Sequence, residues 1–261
     1  MKISLIVLLI GMTAPNAGAQ FTKAIEDNSF YIEEAYNQES GVVQHIPNSF
    51  HSSASGDIHA TFTQEWPVGS ELHQLSYTIP FSSMNSINGI GDVLINYRYQ
   101  LIRSDDGLAV SPRISVSIPT GDHAQGFGDG VIGYQVNIPV SKRWTNEFVT
   151  HFNLGGTLLP GVRNPAGGAT TLDSYFIGGS AIYLATLQFN FLLEALHTIT
   201  KSFSPGGGTD YVGETVLSPG VRCAIDINDL QIVPGVALPF VISSTGNSNG
   251  VFLYVSFEHP F

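Results

Sequence analysis

Through the middle of the chain, apolar and polar residues alternate one for one. In 91–102, Val93, Ile95, Tyr97, Tyr99 and Leu101 share one face, and Asp92, Asn96, Arg98 and Gln100 share the other. In 108–118, Leu108, Val110, Ile114, Val116 and Ile118 oppose Ser111, Arg113, Ser115 and Ser117. In 132–141, Ile132, Tyr134, Val136, Ile138 and Val140 oppose Gln135, Asn137 and Ser141. A period of two marks strands, not helices. Runs of roughly ten residues with one apolar and one polar face fit strands that cross a bilayer in a barrel.

Twelve such segments are expected, near 32–45, 56–67, 71–81, 91–103, 108–119, 130–141, 147–157, 172–184, 188–199, 212–225, 230–242 and 251–261. Short turns are expected near 68–70, 104–107, 142–146, 185–187 and 226–229. Longer loops are expected near 47–55, 82–90, 120–129, 158–170, 200–210 and 243–250, in strict alternation with the turns. Transmembrane barrels alternate in this way, with short periplasmic turns and long outer loops. An even strand count puts both termini on the periplasmic side. In the first segment Glu33, Glu34, Gln38 and Glu39 leave no clean apolar face, so residues 20–50 could instead lie partly in the lumen or in the periplasm.

A soluble sandwich or lipocalin-like barrel also alternates. Composition argues against it. Only 12% of the 261 residues are charged, about half the ~25% of an ordinary soluble domain, and mean hydropathy is +0.15. The balance is acidic, with 10 Lys+Arg against 21 Asp+Glu and a net charge of −11. That leaves no basic face for nucleic acid. The single cysteine excludes a disulfide scaffold.

The N-terminus reads as an export signal. Lys2 precedes the apolar run Ile3 to Met12, and Ala17-Gly18-Ala19 fits a cleavage site after Ala19. Removing those 19 residues leaves a mature chain of 242, one charge more negative without Lys2. Nothing downstream is an uninterrupted apolar run long enough for a membrane helix. The other end carries Val251, Leu253, Val255, Phe257 and Phe261 in alternation. It resembles the C-terminal strand that bacterial barrel-assembly machinery reads, with Phe257 and Phe261 as the signal and His259 as a departure from it. Trp66 and Trp144 at short-turn ends, and Phe81 and Phe240 at long-loop ends, suit interfacial aromatic girdles. Localisation in a Gram-negative outer membrane follows, with its lipids and the assembly machinery as partners.

Several motifs occur in order: Ile32-Glu33-Glu34-Ala35-Tyr36-Asn37-Gln38-Glu39 with Gly41-Val42-Val43-Gln44-His45; Gly89-Ile90-Gly91-Asp92 leading to Tyr97-Arg98-Tyr99; Ser117-Ile118-Pro119-Thr120-Gly121-Asp122; and Gly133 to Ser141. In these the chain resembles the MetA-pathway of phenol degradation family, across roughly 30–155 and beyond that only in strand pattern. The resemblance implies a transporter-like outer-membrane barrel and passage of small aromatic compounds. It carries over no binding-site residue.

Strand parity points the polar face into the lumen. It places Asp57, His59, Glu65, Asp92, Arg98, Arg113, Glu147, His151, Glu194, Glu214, Arg222 and Glu258 there. Two readings stay open, a mutually paired filler and a pore lining that sets selectivity. The acidic excess disfavours acidic cargo and admits cations or neutral solutes. A catalytic reading has His151 and His197 as its best bases, but His151 faces no lipid and no lipase-like His-x-Ser pattern accompanies His197. Thr120 to His123 and Gly126 to Gly130 could offer oxygens to calcium, although Gly and Asp are ordinary turn residues. Gly206-Gly207-Gly208 reads as flexible loop, and Cys223 falls on the lipid-facing parity as a small apolar residue. The expectation is a twelve-stranded antiparallel transmembrane β-barrel that passes small, hydrophobic or aromatic molecules, with no cofactor, metal or catalytic residue. A sealed structural or adhesive barrel is the alternative, and a lipid-modifying enzyme the less favoured one.

Overall fold

The computed structural model describes residues 29–104, 107–164, 167–205 and 207–261. The export signal and its cleavage site lie outside the described residues. Twelve strands form the wall. They are β1 Val42–Ser52, β2 Ile58–Val68 and β3 Ser70–Met84. Next come β4, in pieces Ile87–Ile90, Val93–Tyr99 and Ile102–Arg103, and β5, in pieces Leu108–Val110 and Arg113–Ile118. Then β6 Gly133–Arg143, β7 Phe148–Arg163, β8 Ala169–Leu184 and β9 Phe189–Phe203 follow. The wall ends with β10 Thr209–Cys223 continued by Ile225–Ile227, β11 Leu230–Ala237 with Phe240–Ser243, and β12 Gly246–Pro260.

Each strand pairs antiparallel with its neighbours in sequence. β1 closes the ring against β12, from Val42↔Pro260 to Ser52↔Gly250. Closure removes the open edges that an isolated sheet would expose. Both ends of the wall therefore start from the same rim, called here the terminus-bearing end.

Exposure inverts the order of a soluble protein. Ile114 is 59% exposed while its neighbour Ser115 is 4% exposed, and Val136 is 54% exposed while Asn137 is 1% exposed. Apolar side chains face out around the whole ring, a surface far larger than the few hundred Å² that soluble monomers expose. Among the described residues, the inward apolar packing gathers in two clusters. One is Ala224, Val233, Ala237, Phe252 and Tyr254; the other is Val149, Ile182, Leu184 and Leu192; Phe30 packs against both.

Two expectations need correction. The first wall strand starts at Val42, not near residue 32. Residues 29–41 pair with no strand and cross the lumen instead. The run Glu33, Glu34, Gln38, Glu39 cannot face an apolar surroundings, and inside the ring it finds polar partners. The strict alternation of short and long connections also fails. Two connections expected to be long, near 82–90 and 243–250, are tight turns, with Met84↔Ile87 and Ser243↔Gly246 paired across them. Asn85 and Ser86 both have positive φ, 51° and 67°, as a two-residue hairpin turn requires. The polar residues read as loop are strand ends that extend past the apolar belt.

Candidate functional site: the lumen and its inserted segment

The inserted segment lacks strand partners, so its backbone N–H groups need acceptors elsewhere. Inward side chains of the wall supply them. Glu194 of β9 accepts from Phe30 (2.9 Å), Tyr31 (3.2 and 3.0 Å) and Ile32 (3.2 Å). Asn153 of β7 accepts from Glu33 N–H at 2.8 Å and donates to Glu33 O at 2.7 Å. Ser141 of β6 accepts from Ala35, Gln100 between the last two pieces of β4 from Asn37, and Gln74 of β3 from Gln38, at 2.7, 3.0 and 2.7 Å. The segment is thus bound as a peptide, by side chains from five strands of the wall.

Charge pairs add to this binding. Arg113 grips Glu33 through Nε (2.9 Å) and Nη2 (2.6 Å), and also bonds Ser115. Arg98 bonds the Tyr36 carbonyl (2.5 Å) and Asn37 Oδ1 (3.0 Å), with Glu34 at 3.4 Å and Glu65 at 3.9 Å. A buried guanidinium needs such partners, since unpaired charge there costs several kcal/mol, on the order of 3–5. The segment in turn needs room. A Cβ built on Gly220 would stand 2.6 Å from the Phe30 ring, one on Gly235 2.7 Å from it, and one on Gly178 2.5 Å from Ile32 Cδ1. Side chains at these positions would occupy the place of Phe30 and Ile32.

The residues singled out by parity separate into three groups. Glu65, Arg98, Arg113, His151, Glu194, Arg222 and Glu258 point inward, and most are buried. His151 bonds Ser141 Oγ at 2.6 Å, and Glu258 accepts from Gln44 at 2.6 Å. His59 and Glu214 share the inward parity toward the far end and are exposed; His59 Nδ1 lies 3.1 Å from Ser82 Oγ. Asp57, Asp92 and Glu147 are not on the inward face of a strand. Asp57 and Glu147 end connections at opposite rims, where Asp57 caps Asn85 N–H at 3.3 Å and Glu147 is exposed beside Thr145.

Asp92 sits in the break of β4 and organises the far connection 119–132. Its carboxylate accepts from Gly121 N–H (2.9 Å) and Asp129 N–H (2.8 Å). In the same loop Asp122 caps the short helix His123–Gln125. A hydrogen bond from Gln125 holds its carboxyl below the ordinary value, joined by backbone N–H bonds. Burial pushes the Asp129 carboxyl up, and the charge of Asp92 adds to that. At the terminus-bearing end burial also pushes Glu39 up, with Glu71 adding and Arg103 opposing. There Phe257 stacks on His45 with ring centroids 4.7 Å apart, and Phe261 N–H donates to Gly41 O at 2.9 Å. The last residue is thus tied to the root of the inserted segment.

A cavity of about 280 Å³ lies between the segment and the wall of β1 to β6 and β12. Phe30, Tyr31, Ile46 and Tyr254 supply its apolar side, and Glu65, Arg98 and Arg113 its charged side. Reading by charge alone misses the uncharged binders Gln74, Gln100, Ser141 and Asn153. Their signal is inward parity, and Gly178, Gly220 and Gly235 mark where the segment lies.

The chain matches no family model, and no curated protein matches it. Solved structures do match. The COG4313 outer membrane channel from Pseudomonas putida F1 superposes with a TM-score of 0.65 at 13% identity, over 87% of this chain and 98% of that one. The NanC porin gives 0.54 at 14% identity, over 82% and 98%, and the KdgM porin 0.52 at 10%, over 84% and 99%. At these identities the likeness establishes the fold alone: a closed twelve-stranded antiparallel β-barrel.

Proposed function

We propose that the protein is an outer-membrane channel for small molecules, with its lumen narrowed at the terminus-bearing end by residues 29–41. The outward apolar belt suits lipid. The names of the similar barrels, porins and an outer membrane channel, support the same location. Export through a signal cleaved after Ala19, assembly through Phe257 and Phe261, and a periplasmic position for both termini belong to this reading. So does passage of small aromatic or hydrophobic solutes, suggested by the resemblance in the first half of the sequence.

One observation carries the proposal. The wall does not fill its own lumen; a separate peptide does, held by side-chain hydrogen bonds and ion pairs. Eight strands give an interior that side chains can fill, and sixteen leave an aqueous channel. Twelve strands leave space for a peptide, and apart from the two apolar clusters around Phe30 what surrounds the peptide is polar. Withdrawing it would open a wetted passage. Ser141 Oγ accepts from Ala35 N–H and lies 2.6 Å from His151 Nδ1, so this pair serves to hold the segment.

The test is conductance in planar bilayers, comparing the full chain with a chain lacking residues 29–38. The shortened chain should conduct several times more and reach the outer membrane as a heat-modifiable band. Equal conductance from the two chains would refute the proposal, and recovery of the full chain in a soluble periplasmic fraction would refute the membrane location.

A further inference from the structure

We propose that the cavity above the inserted segment binds small organic cations, an ammonium group carried on one ring and a short chain. Entry of such a ligand rests on the channel reading; the binding chemistry does not.

The charges decide the ligand's sign. Arg113 is occupied by Glu33 on two of its nitrogens, and Arg98 by segment carbonyls and Glu34. Neither guanidinium has its fork open for an anion. Three carboxylates, of Glu33, Glu34 and Glu65, border the cavity against those two guanidinium groups. Ionised together, the three carboxylates carry one negative charge more than the two guanidinium groups, and a cation bound beside Glu65, the carboxylate on the wall, would favour that ionised form. The neighbours of Glu65 there are Gln74 Nε2 at 2.7 Å and Arg98 at 3.9 Å.

The opposite side supplies the second half of the recognition. Phe30, Tyr31 and Tyr254 line it. Phe30 and Tyr254 are 5.3 Å apart between ring centroids, and Phe252 backs both Phe30 and Tyr31 at 5.4 and 4.9 Å. Aromatic faces attract a cation through the ring quadrupole and also accept an apolar ring. A ring with an ammonium group uses both sides at once, whereas an anion of the same shape meets surplus carboxylate. The size fits, since about 280 Å³ is just under the ~300 Å³ at which pockets for drug-sized ligands begin. Toward the far end, Glu214 and the connections carrying Asp57, Asp122 and Asp129 add negative charge, which raises the local cation concentration.

The test is calorimetric titration of the full chain in detergent with 2-phenylethylammonium, phenylacetate and 2-phenylethanol. The ammonium compound should bind at least tenfold more tightly than the other two. Glu65→Gln should weaken it about tenfold, and Tyr254→Leu should weaken it several-fold while phenylacetate stays weak. Folding of each variant is checked by its heat-modifiable band, and if Glu65→Gln does not fold, the ligand comparison and Tyr254→Leu decide. Equal binding of the three compounds, or none by the ammonium compound, would overturn the proposal. Conductance is measured separately: a chain that binds the cation but passes no current sinks the channel reading alone, and a conducting chain that binds none sinks this inference alone.

Discussion

Glu194 holds Tyr31 through both carboxylate oxygens, at 3.2 and 3.0 Å, and the same group takes the N–H of Phe30 and Ile32. One buried side chain therefore satisfies three consecutive backbone donors of a segment that has no strand partner. Glu194→Ala would leave those donors without acceptors, at about 1–3 kcal/mol for each. The amides of residues 30–32 should then exchange hydrogen at least tenfold faster. Glu194→Gln keeps an acceptor oxygen and should give an intermediate rate. Unchanged exchange in Glu194→Ala would mean that the segment is held elsewhere.

Gly235 stands where a Cβ would approach Phe30 Cζ to 2.7 Å and Arg222 Cγ to 2.9 Å. Gly235→Ala should overpack this contact and cost about 1–3 kcal/mol. If Phe30 is the residue displaced, Phe30→Ala should remove most of that cost, and a double-mutant cycle in unfolding temperature measures the coupling. Additive effects would show that the wall strands absorb the change instead.

The barrel was legible because alternation reports which face a residue takes. It is strongest in 91–141, where Ile114 and Ser115, or Val136 and Asn137, fall on opposite sides as expected. The inserted segment was legible only as a fault in that pattern. Glu33 and Glu34 spoil a wall strand, but where they go depends on Arg113 and Arg98, both more than sixty residues away in the chain. Connection lengths misled because residues such as Ser83 and Asn88 are polar, as loop residues are, yet pair with each other across a hairpin. Parity could not separate Asp92, in a break between strand pieces, from Arg98, on the strand itself.

Arg98 is the most connected of the segment's holders. Its partners are Glu34, Glu65, Gln74, Asn37 and the carbonyl of Tyr36. Arg98→Ala would leave two carboxylates without their cation, and breaking a buried pair in this way costs about 3–5 kcal/mol. The temperature at which the folded band disappears on a mild-detergent gel should fall clearly. Arg98→Lys should recover only part of it, because one ammonium cannot reproduce the planar fork. Full recovery by lysine would reduce the role of Arg98 to charge alone.

Asp129 gives the far connection a pH dependence whose sign is fixed by its surroundings. Burial raises its carboxyl above the ordinary value of 3.8, and the neighbouring charge of Asp92 adds to the effect. Ionised Asp129 therefore disfavours the docked loop, although its backbone N–H is held by Asp92 at 2.8 Å. At pH below the undocked value both states keep the proton and no penalty exists. As pH rises through that value and then through the raised docked one, the penalty appears and reaches its full size. Asp129→Asn removes the titrating group and leaves the backbone bond. Amides of residues 127–130 should exchange at similar rates in the two proteins near pH 3, and more slowly in the variant by pH 7. The comparison between proteins at each pH cancels the titration of Asp92, which both retain. A protection gap that widened toward low pH would reverse the sign and place Asp129 among groups that stabilise the loop when charged.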